Sequence, residues 1–269
     1  MRERTTCGFI GVGDQGGPIA RRMIDAGYPT ILWARRPEAL DSYRDTPAEF
    51  ASSISDLGKR AQHVGVCVLN DRDVLEVCEQ LIAAMGPGSR IAIHSTVNPE
   101  TCRTVARLAA TRSVAVIDAP VSGGSQVAKA GGLTIMLGGR PEDLDAARPI
   151  FETFGKLIVR LGDVGAGQAA KLINNSLMAA NLSMAVSALR AGPKLDIEPE
   201  VLVQILMASS GRSFALEVAA RMTSPRAFSH GGMVLAKDLR LFGEVLGRSD
   251  PDYKLLYDAA APFLDRTQA

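Results

Sequence analysis

Thr6-Cys7-Gly8-Phe9-Ile10-Gly11-Val12-Gly13-Asp14-Gln15-Gly16 is the stretch whose reading decides the fold. Its first half is an uncharged, apolar run that predicts a short buried strand. Its second half, 11–16, is a G-x-G-x-x-G turn. A helical pattern follows at once: Ile19, Ala20, Met23 and Ile24 share one face, Pro18 suits the first turn, and Gly27 stops the helix. Thr30-Ile31-Leu32-Trp33 then predicts a second strand. Strand, glycine turn, helix and strand in this order predict a dinucleotide-binding unit, which the glycine turn alone would not. Gly11 permits the tight turn, Gly13 lets backbone approach a pyrophosphate, and Gly16 lets helix pack on strand. The helix N-terminus offers amides and partial positive charge to the phosphates. Val12, Asp14 and Gln15 belong to the same turn and are cofactor-binding candidates with it.

The end of the second strand selects the cofactor. An NAD site usually carries Asp or Glu about 20 residues past the glycines, to bind the ribose 2′-OH. Here the run is Ala34-Arg35-Arg36, with Glu38 close behind. Two guanidiniums in place of a carboxylate suit a 2′-phosphate by charge and fork geometry, so NADP is expected, with NAD possible.

Three more apolar runs meet polar residues at their carboxyl ends, where open α/β sheets bind ligands. His63–Leu69 leads into Asn70-Asp71, Arg90–Ile93 into His94-Ser95-Thr96, and Ser113–Ile117 into Asp118-Ala119-Pro120. Val68, Leu69, Asn70, Asp73 and Thr96 are therefore cofactor-binding candidates. Helical stretches at Asp73–Met85 and Pro99–Ala110 separate the runs, and a further strand pair is expected at Leu133–Leu137 and Leu157–Leu161. The alternation predicts a doubly wound, Rossmann-type sheet over residues 1–163.

Gly-Ala-Gly-Gln-Ala-Ala-Lys-Leu-Ile-Asn-Asn (165–175) opens a long apolar helix reaching about Arg190, where Gly192-Pro193 stops it. Lys171 and Asn175 are one turn apart on it and share a face. An amine and an amide side by side suit a carbonyl or alcohol oxygen, one moving a proton and the other holding a partner in place. Further helices are expected at Glu198–Met207, Ser213–Met222 and Met233–Leu246. Residues 164–269 should thus form an all-α domain entered by the long interdomain helix. Its apolar surface implies a homodimer or homotetramer.

Composition narrows the classes. Lys+Arg 30 against Asp+Glu 29 gives no basic surplus for nucleic acid and no acidic tail. The apolar stretches are interrupted before the roughly 18 residues of a membrane span. The charged opening Met1-Arg2-Glu3-Arg4 lacks the apolar core of a signal peptide. Cys7 and Cys67 fall in expected buried strands, Cys78 and Cys102 form no Cys-x-x-Cys, and a reduced cytoplasm fits best. His63, His94 and His230 lack metal-ligand spacing, so no metal is expected.

Beyond the glycine turn, the chain carries Ser95-Thr96 after a strand, Asp118-Ala119-Pro120-Val121-Ser122-Gly123-Gly124, Gly167-Gln168-Ala169-Ala170-Lys171-Leu172-Ile173-Asn174-Asn175, Ser209-Ser210-Gly211-Arg212 and Lys237-Asp238-Leu239. In order and spacing this resembles the β-hydroxyacid dehydrogenases, over nearly the whole chain. The resemblance implies Lys171 as general acid–base, Asn175 supporting it and the substrate oxygen, and Ser122 with the amides of Gly123 and Gly124 gripping a substrate carboxylate. It also implies Thr96 beside the nicotinamide ribose and Lys237 near nicotinamide and substrate. Consecutive amides with a hydroxyl can form an anion-binding nest, in agreement. The chain departs from the pattern at Asp14 and Gln15, where relatives often have a hydrophobic residue and Met, at His94, commonly acidic, and in a short tail after Lys237. The implied function is hydride transfer between NADP(H) and a small 3-hydroxy acid or its semialdehyde. An imine reductase on the same fold, or an inactive binding or scaffold homologue, is the alternative; both typically lack the lysine.

Overall fold

The computed structural model describes residues 4–268, so the first three residues of the charged opening, like Ala269, lie outside the described residues. The chain divides into two compact units, with the division between Lys171 and Leu172.

In the first unit β1 (Cys7–Ile10), α1 (Gly16–Asp25) and β2 (Thr30–Trp33) lead through a 3-10 turn at Pro37–Tyr43 to β3 (Glu49–Phe50). Then come α2 (Ile54–Arg60), β4 (His63–Val66), α3 (Asp71–Ala84), β5 (Arg90–Ile93), α4 (Pro99–Ala110) and β6 (Ala115–Asp118). β7 (Val121–Ser122), α5 (Gly124–Lys129), β8 (Leu133–Gly138), α6 (Pro141–Phe151) and β9 (Gly155–Gly162) complete the sheet. The strand order is β3-β2-β1-β4-β5-β6-β8-β7, with β9 on β8. β1 pairs in parallel with β2 and β4, Cys7 opposite Thr30 and His63. β8 runs antiparallel to β6 and β7 and parallel to β9.

Parallel strands need covered faces, and their side chains alternate between two apolar clusters. Cys7 and Phe9 face one cluster with Ile19 and Met23 of α1, Ala128 of α5 and Ile150 of α6. Ile10 faces the other, with Leu57 of α2, Val74 and Leu81 of α3 and Val105 of α4. This layering sets every βα loop from β1 to β5 along one edge of the sheet, the edge on which the cofactor candidates stand.

The second unit is helical. α7 (Ala166–Ala191) begins in the first unit and continues into the second, followed by a 3-10 turn at Gly192–Leu195. α8 (Pro199–Ala208), α9 (Phe214–Arg221), α10 (Ser229–Leu246) and α11 (Pro251–Gln268) follow. Leu172, Ala179 and Leu182 of α7 pack with Leu216 of α9, Leu239 and Phe242 of α10 and Phe263 of α11. α8 buries none of its residues, and Val201 and Ile205 are each 57 % exposed.

Several boundaries differ from the sequence reading. The run 63–69 stops being strand at Val66, so Cys67 lies beyond the strand and is only partly buried. The run 113–117 becomes strand at Ala115, because Ser113 takes a left-handed φ of 56°. α10 starts at Ser229, ahead of Met233. The supposed short tail includes α11, in contact with α10. By length and composition, Ala166–Leu195 could cross a membrane, contrary to expectation. Of its apolar window 44% is buried, with Leu172, Ala179 and Leu182 in the helical cluster above.

Candidate active site

The glycines of the first turn have different physical reasons. At Gly11 φ is 95° and a Cβ would fall 2.1 Å from the Cys67 carbonyl oxygen. At Gly16 a Cβ would fall 2.0 Å from the Gly11 carbonyl oxygen. Both glycines are required by the fold itself. At Gly13 a Cβ would meet nothing within 4 Å. The open space over Gly13 fits a pyrophosphate lying on the backbone. Beside it, Gln15 Nε2 is buried without a hydrogen-bond partner, a donor suited to a ligand acceptor. Asp14 is exposed, and Val12 is half-buried against the cluster that holds Phe9.

Side-chain hydrogen bonds stitch the neighbouring loops together. Ser95 Oγ accepts from the Val68 amide at 2.8 Å. Asn70 caps α3, its Oδ1 accepting from the Asp73 amide at 2.9 Å. Asp71 Oδ1 accepts from the Asn98 amide at 2.8 Å and from Thr101 Oγ1 at 2.6 Å, tying α3 to α4. Leu69 stands 75 % exposed at this edge. Two of the cofactor candidates, Arg35 and Asp73, pair with each other at 2.9 Å. The carboxylate raises the Arg35 guanidinium further. Arg36 is exposed at the start of the 3-10 turn, and Ala34 packs on the core.

His94 is a packing residue. It stacks on Phe9 at 5.9 Å between ring centroids, and its Nδ1 lies 2.9 Å from the Ala119 carbonyl oxygen. Burial pushes its imidazole down to about 4, so it is the neutral Nδ1–H tautomer that donates to that carbonyl.

Asp118 is fully buried and binds the start of α7. Its Oδ1 accepts from the Gly165 amide at 2.7 Å and its Oδ2 from the Gln168 amide at 2.8 Å. Burial pushes this carboxyl up, and the amides at its oxygens oppose that. Ser122 follows on β7, and Gly123 and Gly124 take φ of 134° and 73°. A Cβ on Gly123 would fall 2.8 Å from Val127, while Gly124 has nothing within 4 Å. The backbone at Gly124 is therefore open on the side a Cβ would take, which leaves room for an anion beside it. Gln168, also buried, bridges Ser95 and Val97, the two neighbours of Thr96. Lys171 is a turn further along α7 and 8 % exposed.

In the second unit Asn175 is one helical turn past Lys171 and 7 % exposed. Its Nδ2 donates to Asp238 Oδ2 at 2.5 Å, and its Oδ1 accepts from Asn174 Nδ2 at 3.0 Å. Asp238 is fully buried, and its Oδ1 lies 3.1 Å from Lys237 Nζ. A buried carboxylate is tolerable only with such partners.

Asp118, Gln168 and Asp238 have no role in the sequence reading beyond membership of a motif. Asp238 could have been found, because it stands on the apolar face of its helix with Leu235, Leu239 and Phe242. A charge at a core position marks a functional or heavily partnered group.

The chain is similar to known proteins along most of its length. Residues 6–162 match the family model described as the NAD binding domain of 6-phosphogluconate dehydrogenase. Residues 165–261 match that described as NAD-binding of NADP-dependent 3-hydroxyisobutyrate dehydrogenase. The NAD-dependent L-serine dehydrogenase of Pseudomonas aeruginosa is 36% identical over 255 residues, covering 88% of this chain and 83% of that one. The mitochondrial 3-hydroxyisobutyrate dehydrogenase of Bos taurus is 33% identical over 218 residues, which is 80% of this chain but only 65% of that relative. Among solved structures, Mycobacterium tuberculosis 3-hydroxyisobutyrate dehydrogenase with L-serine superposes with a TM-score of 0.86 at 25% identity, covering 97% of this chain and 94% of that one. Two family models over residues 6–162 and 165–261, and a relative 36% identical over 88% of the chain, make this chain a member of the β-hydroxyacid dehydrogenase family.

Proposed function

We propose that the protein is an NADP-preferring oxidoreductase acting on a small 3-hydroxy acid or its semialdehyde, with residues 1–163 binding the cofactor and 164–269 shaping the substrate site and the subunit contact. The observation that carries this reading is α7, where a buried Lys171 stands one turn from an Asn175 held by Asp238. A nicotinamide held by the glycine turn would supply the hydride in its reduced form, NADPH, or take it up in its oxidised form, NADP+. Lys171 gives or takes the proton at the carbinol oxygen, which balances the hydride at carbon. Asn175 donates to Asp238, which fixes its amide, and its carbonyl oxygen, already accepting from Asn174, keeps a second lone pair for the lysine ammonium or the substrate hydroxyl. Ser122 and the amides of Gly123 and Gly124 hold the substrate carboxylate, with charge from Lys237.

The glycine turn 11–16, Val68, Leu69, Asn70 and Thr96 hold the dinucleotide. Arg35 and Arg36 take the 2′-phosphate, where no carboxylate stands among residues 34–36. Arg35 then exchanges or shares its contact with Asp73. The half-exposed apolar residues Ile173, Leu177 and Met184 of α7, with α8, support a homodimer or homotetramer. A cytoplasmic setting suits the four free cysteines.

The test is a panel of semialdehyde acids, each paired with its carboxyl amide, assayed with NADPH and NADH. A charge-assisted contact contributes about 1.5–3 kcal/mol, so each acid should exceed its amide by roughly 10- to 150-fold in kcat/KM. Faster reduction of neutral aldehydes or cyclic imines than of acids would overturn the hydroxyacid reading.

A further inference from the structure

The first turn of α7 is fastened to the loop after β5 by one side-chain amide. Gln168 is 0% exposed. Its Oε1 accepts from the Val97 amide at 3.1 Å, and its Nε2 donates to the Ser95 carbonyl oxygen at 2.8 Å. Only one orientation of the amide serves both, because a peptide N–H cannot accept and a peptide carbonyl cannot donate. These two backbone groups flank Thr96. On its other side the helix start is held by Asp118 through the Gly165 and Gln168 main-chain amides. The fit leaves no slack, since a Cβ on Gly167 would fall 2.3 Å from the Met136 carbonyl oxygen. Lys171 follows one turn along the same side of the helix.

We propose that Gln168 is a positioning residue that sets Thr96, on the cofactor side, against Lys171 on the catalytic helix. The inference rests on the dehydrogenase reading above. Its physical content is that two backbone hydrogen bonds to one buried amide make the Thr96 loop and the lysine helix a single rigid part. A displacement of about 1 Å between reacting groups can lower a rate on the order of 10²-fold.

Gln168→Met and Gln168→Glu in the full chain test it, read by hydrogen exchange at the Val97 amide, by NADPH affinity, and by kcat, KM and the isotope effect with NADPH deuterated at C4. In Gln168→Met the Val97 amide loses its acceptor. Its exchange should accelerate, kcat should fall on the order of 10²-fold with KM little changed, and the isotope effect should rise as hydride transfer becomes slow. In Gln168→Glu the introduced carboxyl faces the Ser95 carbonyl and the Cys102 thiol, with the buried Asp118 on the main-chain amide of the same residue and Lys171 a turn away. The acceptor dipole and burial hold its proton on to higher pH. While protonated it copies the amide, accepting from Val97 and donating to Ser95. The ratio of this variant's kcat to that of the wild type should therefore be near one at the acid end and fall as pH rises, which removes any pH dependence common to both. Faster Val97 exchange with unchanged kcat and isotope effect would make the clasp merely structural, and unchanged exchange in both variants would remove it. A wild-type protein that turns over no hydroxy acid sinks the dehydrogenase reading instead, a failure that the exchange measurement tells apart.

Discussion

Acidification should unfold this protein through two histidines. His63 and His94 are buried in the first unit, among Phe9, Phe151 and Phe154. Burial lowers the His94 imidazole from 6.5 to about 4, and burial with the neighbouring His94 and Arg90 lowers His63 to about 3. A base depressed in the folded state is stabilising above its unfolded value of 6.5, and that contribution is lost as pH falls towards the folded value. Each pH unit in that window removes about 1.4 kcal/mol per histidine, and the His94 interval amounts to about 3 kcal/mol. Against a total stability of roughly 5–15 kcal/mol this is a large share. Urea unfolding from pH 7 to pH 4.5, on the wild type and on His94→Phe, measures it. The variant should lose about 1.4 kcal/mol per pH unit of the acid slope, whatever its absolute stability. Asp118 opposes the trend, since burial raises its carboxyl, but it is common to both proteins and cancels in the difference. Equal slopes would refute the assignment of His94 as a neutral core residue.

Gly13→Ala should leave the melting temperature near wild type and weaken NADPH binding, while Gly16→Ala should destabilise the fold, because only the latter Cβ meets backbone; thermal melts with cofactor titration separate the two. Arg35→Ala should weaken NADPH by about 1.5–3 kcal/mol and NADH far less, and an equal loss for both cofactors contradicts the 2′-phosphate role. Asp238→Asn removes a buried charge that holds both Asn175 and Lys237. Its effect on kcat should be non-additive with Asn175→Ala in a double-mutant cycle, and strict additivity would show that it acts elsewhere.

Much of the fold is legible in the sequence because its signals are local. β2, β5 and α4 have the expected limits, set by apolar runs and by turn and capping residues such as Asn98 and Pro99. α7 lies within one residue of the expected limit at each end, with Gly192-Pro193 stopping it. β3 and β7 are two residues each, too short to show a period, and Glu49 and Phe50 are both exposed. α11 carries an interior Pro262 and mixes charge with apolar residues, so its pattern is weak. The candidate site divides in the same way. The glycine turn and the Lys171–Asn175 spacing are local and stand in the sequence. The capping of α7 by Asp118, the Gln168 clasp and the Asp238 contact join residues far apart in the chain, and no periodicity announces them. The Arg35–Asp73 pair belongs to the same class: each residue was a candidate alone, and their contact appears only in the folded chain.

The central claim is that Lys171 carries the proton. Turnover of a semialdehyde acid with NADPH, compared between the wild type and Lys171→Met beside a direct measurement of NADPH affinity, tests it most directly. The account predicts that turnover falls by roughly 10²–10⁴-fold while NADPH still binds. Near-normal turnover in the variant at neutral pH, with no rise in the isotope effect from NADPH deuterated at C4, would contradict it.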